Sequence, residues 1–337
     1  MHPLGAPLVR RRSMTRKLAI VERLPGHTEV MGGFAALALE LGYEPHLLFN
    51  RSDPFHMVEY LRTRIPIAAD RIHDWSYIND HSADYDVILL NTSCVWLDYG
   101  RQLQHWNAHN RLIVVHHDLD DIVLNPHGAS LYLTPAAGQE KWIFPLYSNP
   151  SAAEFDAENT SLSARDATEL PTLISIGSFD RKDKASAVAY MKAGGKLLHY
   201  DRHPCHHFPG HEAYTQHMGL DGPQLMSSLA QQAQPMFLWF PIVAESEYLV
   251  FRFTGALIIG AEMNCIMVMP DRLRNLYGFP HDAVITYDIS ITEAPCLEKL
   301  RASPAQQQQR RRELRLWTVE RWKKNLAIFQ PLLERTR

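Results

Sequence analysis

Short apolar runs recur along the first half of the chain, and each stops at a glycine, a proline or a polar cluster. KLAIVE at 17–22, Pro45 to Asn50, DVILLN at 86–91 and LIVV at 112–115 lack polar alternation, the pattern of strands covered on both faces as in a parallel sheet. Thr28 to Leu41 reads as a helix that Thr28 caps and Gly42 ends. Strand, glycine turn, helix and strand make a βαβ unit. Val58 to Ile65 continues as a short helix, Arg71 to Tyr77 as an edge strand, Val95 to Asn107 as a helix, and Leu131 to Thr134 and Trp142 to Leu146 as short strands. Residues 148–169 are small and polar without an apolar period, and they read as a linker.

The same pattern then begins again. Leu173 to Ile176 is a strand, Ala185 to Ala193 a helix stopped by Gly194 and Gly195, and Lys196 to Tyr200 the next strand. Met236 to Phe240, Ile266 to Met269 and Val284 to Tyr287 are further strands, with a small-residue helix over 248–264. The tail from Ala305 places Leu314, Trp317, Trp322, Leu326 and Phe329 near helical spacing, so it reads as a terminal helix whose apolar stripe packs across both halves while Lys and Arg face water. The expected organisation is a basic arm at 1–16, Rossmann-like domains at 17–150 and 170–303 joined by a linker at 151–169, and a C-terminal helix at 304–337. The fold class is α/β, two doubly wound domains facing a central cleft.

Composition narrows the picture only a little. At 337 residues with 46% hydrophobic and 21% charged residues, the chain suits two soluble globular domains. No apolar run is long enough to span a bilayer, so no membrane partner is expected. Four scattered cysteines without a CxxC pair fit a reducing compartment, and a cytoplasmic location is expected. A net charge of −3 gives no general sign of nucleic-acid binding.

Candidate chemistry gathers where strands end. After LIVV come His116, His117, Asp118, Asp120 and Asp121, delivering acid and base groups to the carboxyl end of a strand, where ligands of parallel sheets sit. Gly26, His27, Thr28 and Glu29 close the first strand and face the same crevice; Glu29 accepts from a substrate hydroxyl or answers the helix dipole. The turn Gly177, Ser178, Arg181, Lys182, Lys184 joins a strand to a helix, a setting for phosphate. Arg252, Thr254 and Gly255 offer a guanidinium fork, a hydroxyl and close approach at the next helix. The histidine-rich stretch 199–217 reads as a polar surface loop: His203 and His207 have a metal-ligand separation, but Pro204 and Pro209 argue against one regular helix.

Together, GHTEVMGGF at 26–34, DYDVILLNTS at 84–93, VVHHD at 114–118, EKWIFPLY at 140–147, GSFDRKDK at 177–184 and YLVFRF at 248–253 resemble the GT-B class of nucleotide-sugar glycosyltransferases, and more narrowly the phage DNA β-glucosyltransferases. The resemblance implies an inverting transfer from a nucleotide sugar, a UDP-sugar such as UDP-glucose, to an acceptor hydroxyl, with a hydroxymethylated DNA base as one acceptor and a glycan or small molecule as the other. It implies Asp118 as base, Glu29 as an acidic cleft residue, and Lys184 and Arg252 on the diphosphate; from its place at the strand end, His117 is expected on the acceptor or cleft side. No cofactor beyond the nucleotide sugar is required, with a divalent metal left open; for a viral chain the location is the host cytoplasm. Asp180 stands where that family has an arginine, and Gly255 near the place of a sugar-binding acid. A non-catalytic sugar-nucleotide-binding module and a nucleotide-sugar epimerase are the rival readings.

Overall fold

The computed structural model describes residues 16–24, 27–53, 56–108, 111–117, 129–138, 140–148, 169–179, 182–201, 207–232, 235–243, 246, 254–289 and 297–334. The N-terminal half contains β1 (Arg16–Glu22), α1 (Thr28–Glu40), β2 (Tyr43–Phe49), α2 (Met57–Arg64), β3 (Ile72–Asp74), α3 (Ile78–His81), β4 (Val87–Leu90), α4 (Gly100–Ala108), β5 (Leu112–His116) and β6 (Ala129–Tyr132). The C-terminal half contains β7 (Thr172–Ile176), α5 (Lys184–Lys192), β8 (Lys196–Asp201), β9 (Tyr214–Met218), α6 (Gly222–Ala230), β10 (Phe237–Trp239), α7 (Ala256–Glu262), β11 (Ile266–Pro270), α8 (Asp271–Tyr277), β12 (Val284–Tyr287), α9 (Leu297–Leu300) and α10 (Pro304–Glu334).

Each half builds one six-stranded parallel sheet. The orders are β3-β2-β1-β4-β5-β6 and β12-β11-β10-β7-β8-β9, the same doubly wound arrangement twice. In each sheet the winding reverses between its first and fourth strands, which opens a crevice at the strands' carboxyl ends. The burial of β4 and β5 explains their unbroken apolar sequence, since helices cover both faces of the sheet. One continuous apolar core joins the inward faces of the two sheets through α1, α7 and α10, while separate clusters lie under the outer faces.

Several elements differ from expectation. Trp142 to Leu146 forms no strand; a single bridge from Trp142 to Tyr132 and capture by α10 hold it instead. The edge strand expected over Arg71 to Tyr77 shrinks to Ile72–Asp74, because 3₁₀ turns flank it and Asp74 accepts from the Ser76 backbone N–H. The first part of the helix expected from Val95 is a 3₁₀ turn, Ser93–Tyr99, before α4 starts. The described parts of the histidine-rich stretch are not surface loop alone: His199 lies in the buried interior of β8 and Tyr214–Met218 forms the edge strand β9, while residues 202–206, with His203 and Pro204, lie outside the described residues. The small-residue helix is described over Ala256–Glu262, and its expected first turns at 248–253 lie outside the described residues.

The terminal helix α10 is 31 residues, roughly 46 Å at 1.5 Å per residue. It crosses from one half to the other: Arg311 donates to the Asn264 carbonyl at 3.1 Å, while Asn325 brackets the Phe144 backbone and Leu333 accepts from the Tyr43 hydroxyl. Not all its cations face water as expected. Arg311 and Arg321 are buried, Arg310 is half-buried, and all three donate to backbone carbonyls, which removes them from any basic surface. Among the described residues no helix is long and apolar enough to cross a membrane.

Candidate active site between the two domains

At the N-terminal switch point, β1, β4 and β5 bring together Glu22, Asn91, Thr92 and His117, and the start of α1 adds His27. The Glu22 carboxylate is buried and accepts from the Thr92 hydroxyl at 2.5 Å, the Asn91 amide at 2.7 Å and the Leu24 backbone N–H at 2.7 Å. Burial pushes Glu22 up, and these donors together with His27 oppose that push. Asn91 also donates to the His27 carbonyl at 3.1 Å, tying the helix start to the sheet.

The two histidines form a directed pair. His117 Nε2 lies 2.7 Å from the Asn91 carbonyl oxygen, which can only accept, so His117 carries its proton on Nε2. His117 Nδ1 is therefore an acceptor, and His27 Nδ1 at 2.7 Å donates to it. Burial, and secondarily His27, hold His117 well below the usual histidine range, so it remains neutral and keeps these roles. The lone pair of His27 is left on Nε2, which has no partner among the described residues, on a residue that is partly exposed. The arrangement orients one imidazole by a second and fixes its tautomer, the geometry of an oriented general base. His116 belongs to the sheet, with Nε2 3.2 Å from the Ser130 hydroxyl and its ring stacked on Tyr132.

Between the domains lies a cavity of about 210 Å³. Glu29, Met57, Tyr60 and Tyr147 line it from the N-terminal side. Gly177, Tyr200, Asp221, Gly222, Thr254 and Gly255 are among its walls on the other side, so the ends of β7 and β8 and the starts of α6 and α7 converge on it. Asp221 caps α6 by accepting from the Gln224 backbone N–H at 2.8 Å, and Gln224 returns the contact. A second cavity of about 640 Å³ lies beyond Tyr60 and Met226, which wall both.

The expected site residues divide. Glu29 and Gly255 meet across the cleft: a Cβ on Gly255 would lie 2.9 Å from the Glu29 carboxylate, so glycine lets the two domains touch there. Gly177, with φ of +88°, and Thr254 also line the cavity. Thr28 is buried as the first residue of α1. Ser178 and Lys184 lie on the turn before α5 and in its first turn, outside the cavity wall. The helix start itself is capped by Asp183, which accepts from the Ala185 and Ser186 backbone N–H groups. Lys182 points inward: its ammonium donates to the Ser175 hydroxyl and to the Ile176 and Gly177 carbonyls, bracing the turn from behind, and burial pushes it down to about 7. Gly26, Asp118, Arg181 and Arg252 lie outside the described residues. Glu22, Asn91 and Thr92 were missed from sequence, although a lone glutamate ending KLAIVE and an Asn-Thr pair ending DVILL sit at strand ends where such groups gather.

No protein-family model matches the chain, and no curated protein matches it in sequence. Solved structures do. AviGT4, a glycosyltransferase involved in avilamycin A biosynthesis, shares 17% identity over 95% of this chain and 98% of its own, with a TM-score of 0.55. A glycosyltransferase from Rickettsia africae ESF-5 gives 10% identity over 94% and 97%, with a TM-score of 0.52. The kitacinnamycin glycotransferase gives 14% over 96% and 99%, with a TM-score of 0.50. With two six-stranded parallel sheets and a long C-terminal helix, the chain has the two-domain α/β GT-B fold.

Proposed function

We propose that this chain is an inverting glycosyltransferase that uses a nucleotide sugar. The observation that carries the reading is the His27–His117–Asn91 chain, an oriented base at the carboxyl ends of one Rossmann-like sheet, two residues before Glu29, which lines a cleft whose opposite wall is the matching end of a second. The nucleotide sugar, a UDP-sugar in this reading, lies against Gly177, Thr254 and Gly255 and the starts of α6 and α7, with Arg181, Lys184 and Arg252 as diphosphate cations.

His27 Nε2 takes the acceptor hydroxyl proton as that oxygen bonds to the anomeric carbon. The bond from that carbon to the diphosphate oxygen breaks, and its electron pair leaves with the nucleoside diphosphate. Single displacement inverts the anomeric centre. Asp118, next in sequence to His117, is the carboxylate partner in this chemistry.

For the acceptor we favour a small-molecule or glycan hydroxyl over a hydroxymethylated DNA base, because Arg310, Arg311 and Arg321 are spent on internal carbonyls and the net charge is −3. Salt-sensitive duplex binding would reverse that preference.

The test is donor turnover. His27→Ala lowers kcat by roughly 10²- to 10⁴-fold, as loss of an oriented base does, while a thermal shift with the nucleotide sugar persists. Near wild-type transfer by His27→Ala overturns the assignment, and a large loss confined to Asp118→Asn returns the base to Asp118.

A further inference from the structure

At the carboxyl end of β8, on the side of the C-terminal sheet that carries Phe179, three side chains converge on one point, and one of them, Asp201, also borders the cleft. His199 Nε2 lies 3.6 Å from Asp201 Oδ2, and His207 Nε2 lies 3.0 Å from the same oxygen. All three ligand atoms are within 4.8 Å of one another, and the side chains are at most 1% exposed. His199 and Asp201 alternate on β8, so they share one face of the sheet, and His207 reaches them from the segment that leads into β9.

The tautomer of His199 makes the cluster unusual. Its Nδ1 lies 3.1 Å from the Ser175 carbonyl oxygen and must donate to it, so Nε2 presents a lone pair. That Nε2 is buried and has no hydrogen-bond partner among the described residues. A lone pair facing a carboxylate oxygen inside the protein is unfavourable unless a positive centre lies between them. Tetrahedral zinc with bonds near 2.05 Å sets its ligand atoms about 3.3 Å apart, and the two observed separations of 3.6 and 3.0 Å bracket that edge. The Ser175 carbonyl supplies the outer contact that orients a ligating histidine. Phe179 packs on both imidazoles and Tyr214 on that of His199, with Phe208 against Phe179 and Tyr214, giving the dry shell such a site needs.

The geometry points to a binding site for a zinc-type divalent transition metal formed by His199 Nε2, Asp201 Oδ2 and His207 Nε2. The ligand set, two imidazoles and one carboxylate, is of the kind zinc takes. On binding, His207 moves its ring proton from Nε2 to Nδ1, so the ligand nitrogen is free and the charge count of the histidines is unchanged. The metal would join the interior of β8 to the chain segment before β9, behind the Gly177 turn. Lys182 is the competing source of positive charge for Asp201, and the experiment separates the two.

Purified full-length protein is stripped with chelator and titrated with zinc chloride, following melting temperature and bound metal. The wild type takes up about one ion per chain with an increase in melting temperature. His207→Ala loses both, while His117→Ala, in the separate Glu22–His27–His117 group, keeps them. Because His207→Ala can fail to fold, cobalt chloride is added to wild-type protein in parallel, and tetrahedral cobalt absorption in the visible range is expected. Absence of the cobalt bands together with an unchanged melting temperature overturns the site and leaves Lys182 as the counter-charge. Equal zinc response in wild type and folded His207→Ala also overturns it.

Discussion

Burial and the neighbouring His27 imidazole keep His117 neutral, and that neutrality makes the pair directional. It also links the site to stability. In the unfolded chain this histidine takes a proton near 6.5, whereas in the folded protein it does so only at markedly lower pH. Below 6.5 the unfolded state therefore binds the additional proton, and stability falls as pH falls, by up to about 1.4 kcal/mol per pH unit from this one group. The contribution is fully present above 6.5. His117→Gln removes the titration, so the stability difference between wild type and variant shrinks from pH 7 to pH 5 in urea unfolding; a difference that stays constant contradicts the assignment. Single residues were legible in proportion to how unusual their setting is. The pair His116 and His117 after an apolar run drew attention, but sequence could not say which faces the sheet and which the site, because that depends on where β5 ends. Lys182 looked like a phosphate ligand because turn lysines before helices often are; the inward course of its side chain follows from tertiary packing that no local pattern contains.

Helix α1 illustrates what an element needs beyond its apolar face. Gly32 and Gly33 lie in its interior, where glycine costs about 1 kcal/mol relative to alanine. They are tolerated because the 145–147 segment presses directly on the helix: a Cβ on Gly33 would lie 2.4 Å from the Pro145 backbone, and one on Gly32 2.6 Å from Leu61. Gly33→Ala thus destabilises by about 1–3 kcal/mol despite its better helix propensity, read as a lower urea midpoint with an unchanged slope. A neutral or stabilising result would show that the segment can move aside at no cost. The strands were legible because buried parallel strands leave continuous apolar runs; β4, β5, β11 and β12 fall within a residue or so of expectation. The elements that escaped are those whose apolar signal is diluted. β9 is an edge strand with the sequence YTQHM and only partial burial, and α6 follows it behind a short capping box. Trp142 to Leu146 has a strand's composition, yet its backbone partners come from α10, a helix nearly two hundred residues away in sequence.

Those partners hold the molecule together as a whole. Asn325 is fully buried on α10, accepts from the Phe144 N–H at 3.2 Å and donates to the Phe144 carbonyl at 2.5 Å, the two-sided contact a neighbouring strand would otherwise supply. Arg321 orients that amide through a 3.0 Å hydrogen bond to Asn325 Oδ1, lies 3.6 Å over the Trp142 ring and donates to the Trp142 carbonyl. Nearby, Glu262 of α7 accepts from the Tyr147 N–H at 2.6 Å and faces Arg64 of α2 at 3.5 Å. The end of the N-terminal domain is thus gripped by two helices of the C-terminal half, on the side of the cleft that carries Tyr147. Asn325→Leu preserves volume but removes the acceptor of two buried donors, the Phe144 N–H and the Arg321 Nε–H, each worth about 1–3 kcal/mol when left unpaired, while the Phe144 carbonyl keeps the Leu146 N–H at 2.8 Å. The expected loss is about 2–6 kcal/mol, and because the lost contacts join the halves, the calorimetric transition broadens or divides as the domains unfold separately. Retention of a single sharp transition at the wild-type temperature would show that the continuous apolar core across α1, α7 and α10 couples the domains without this polar clamp.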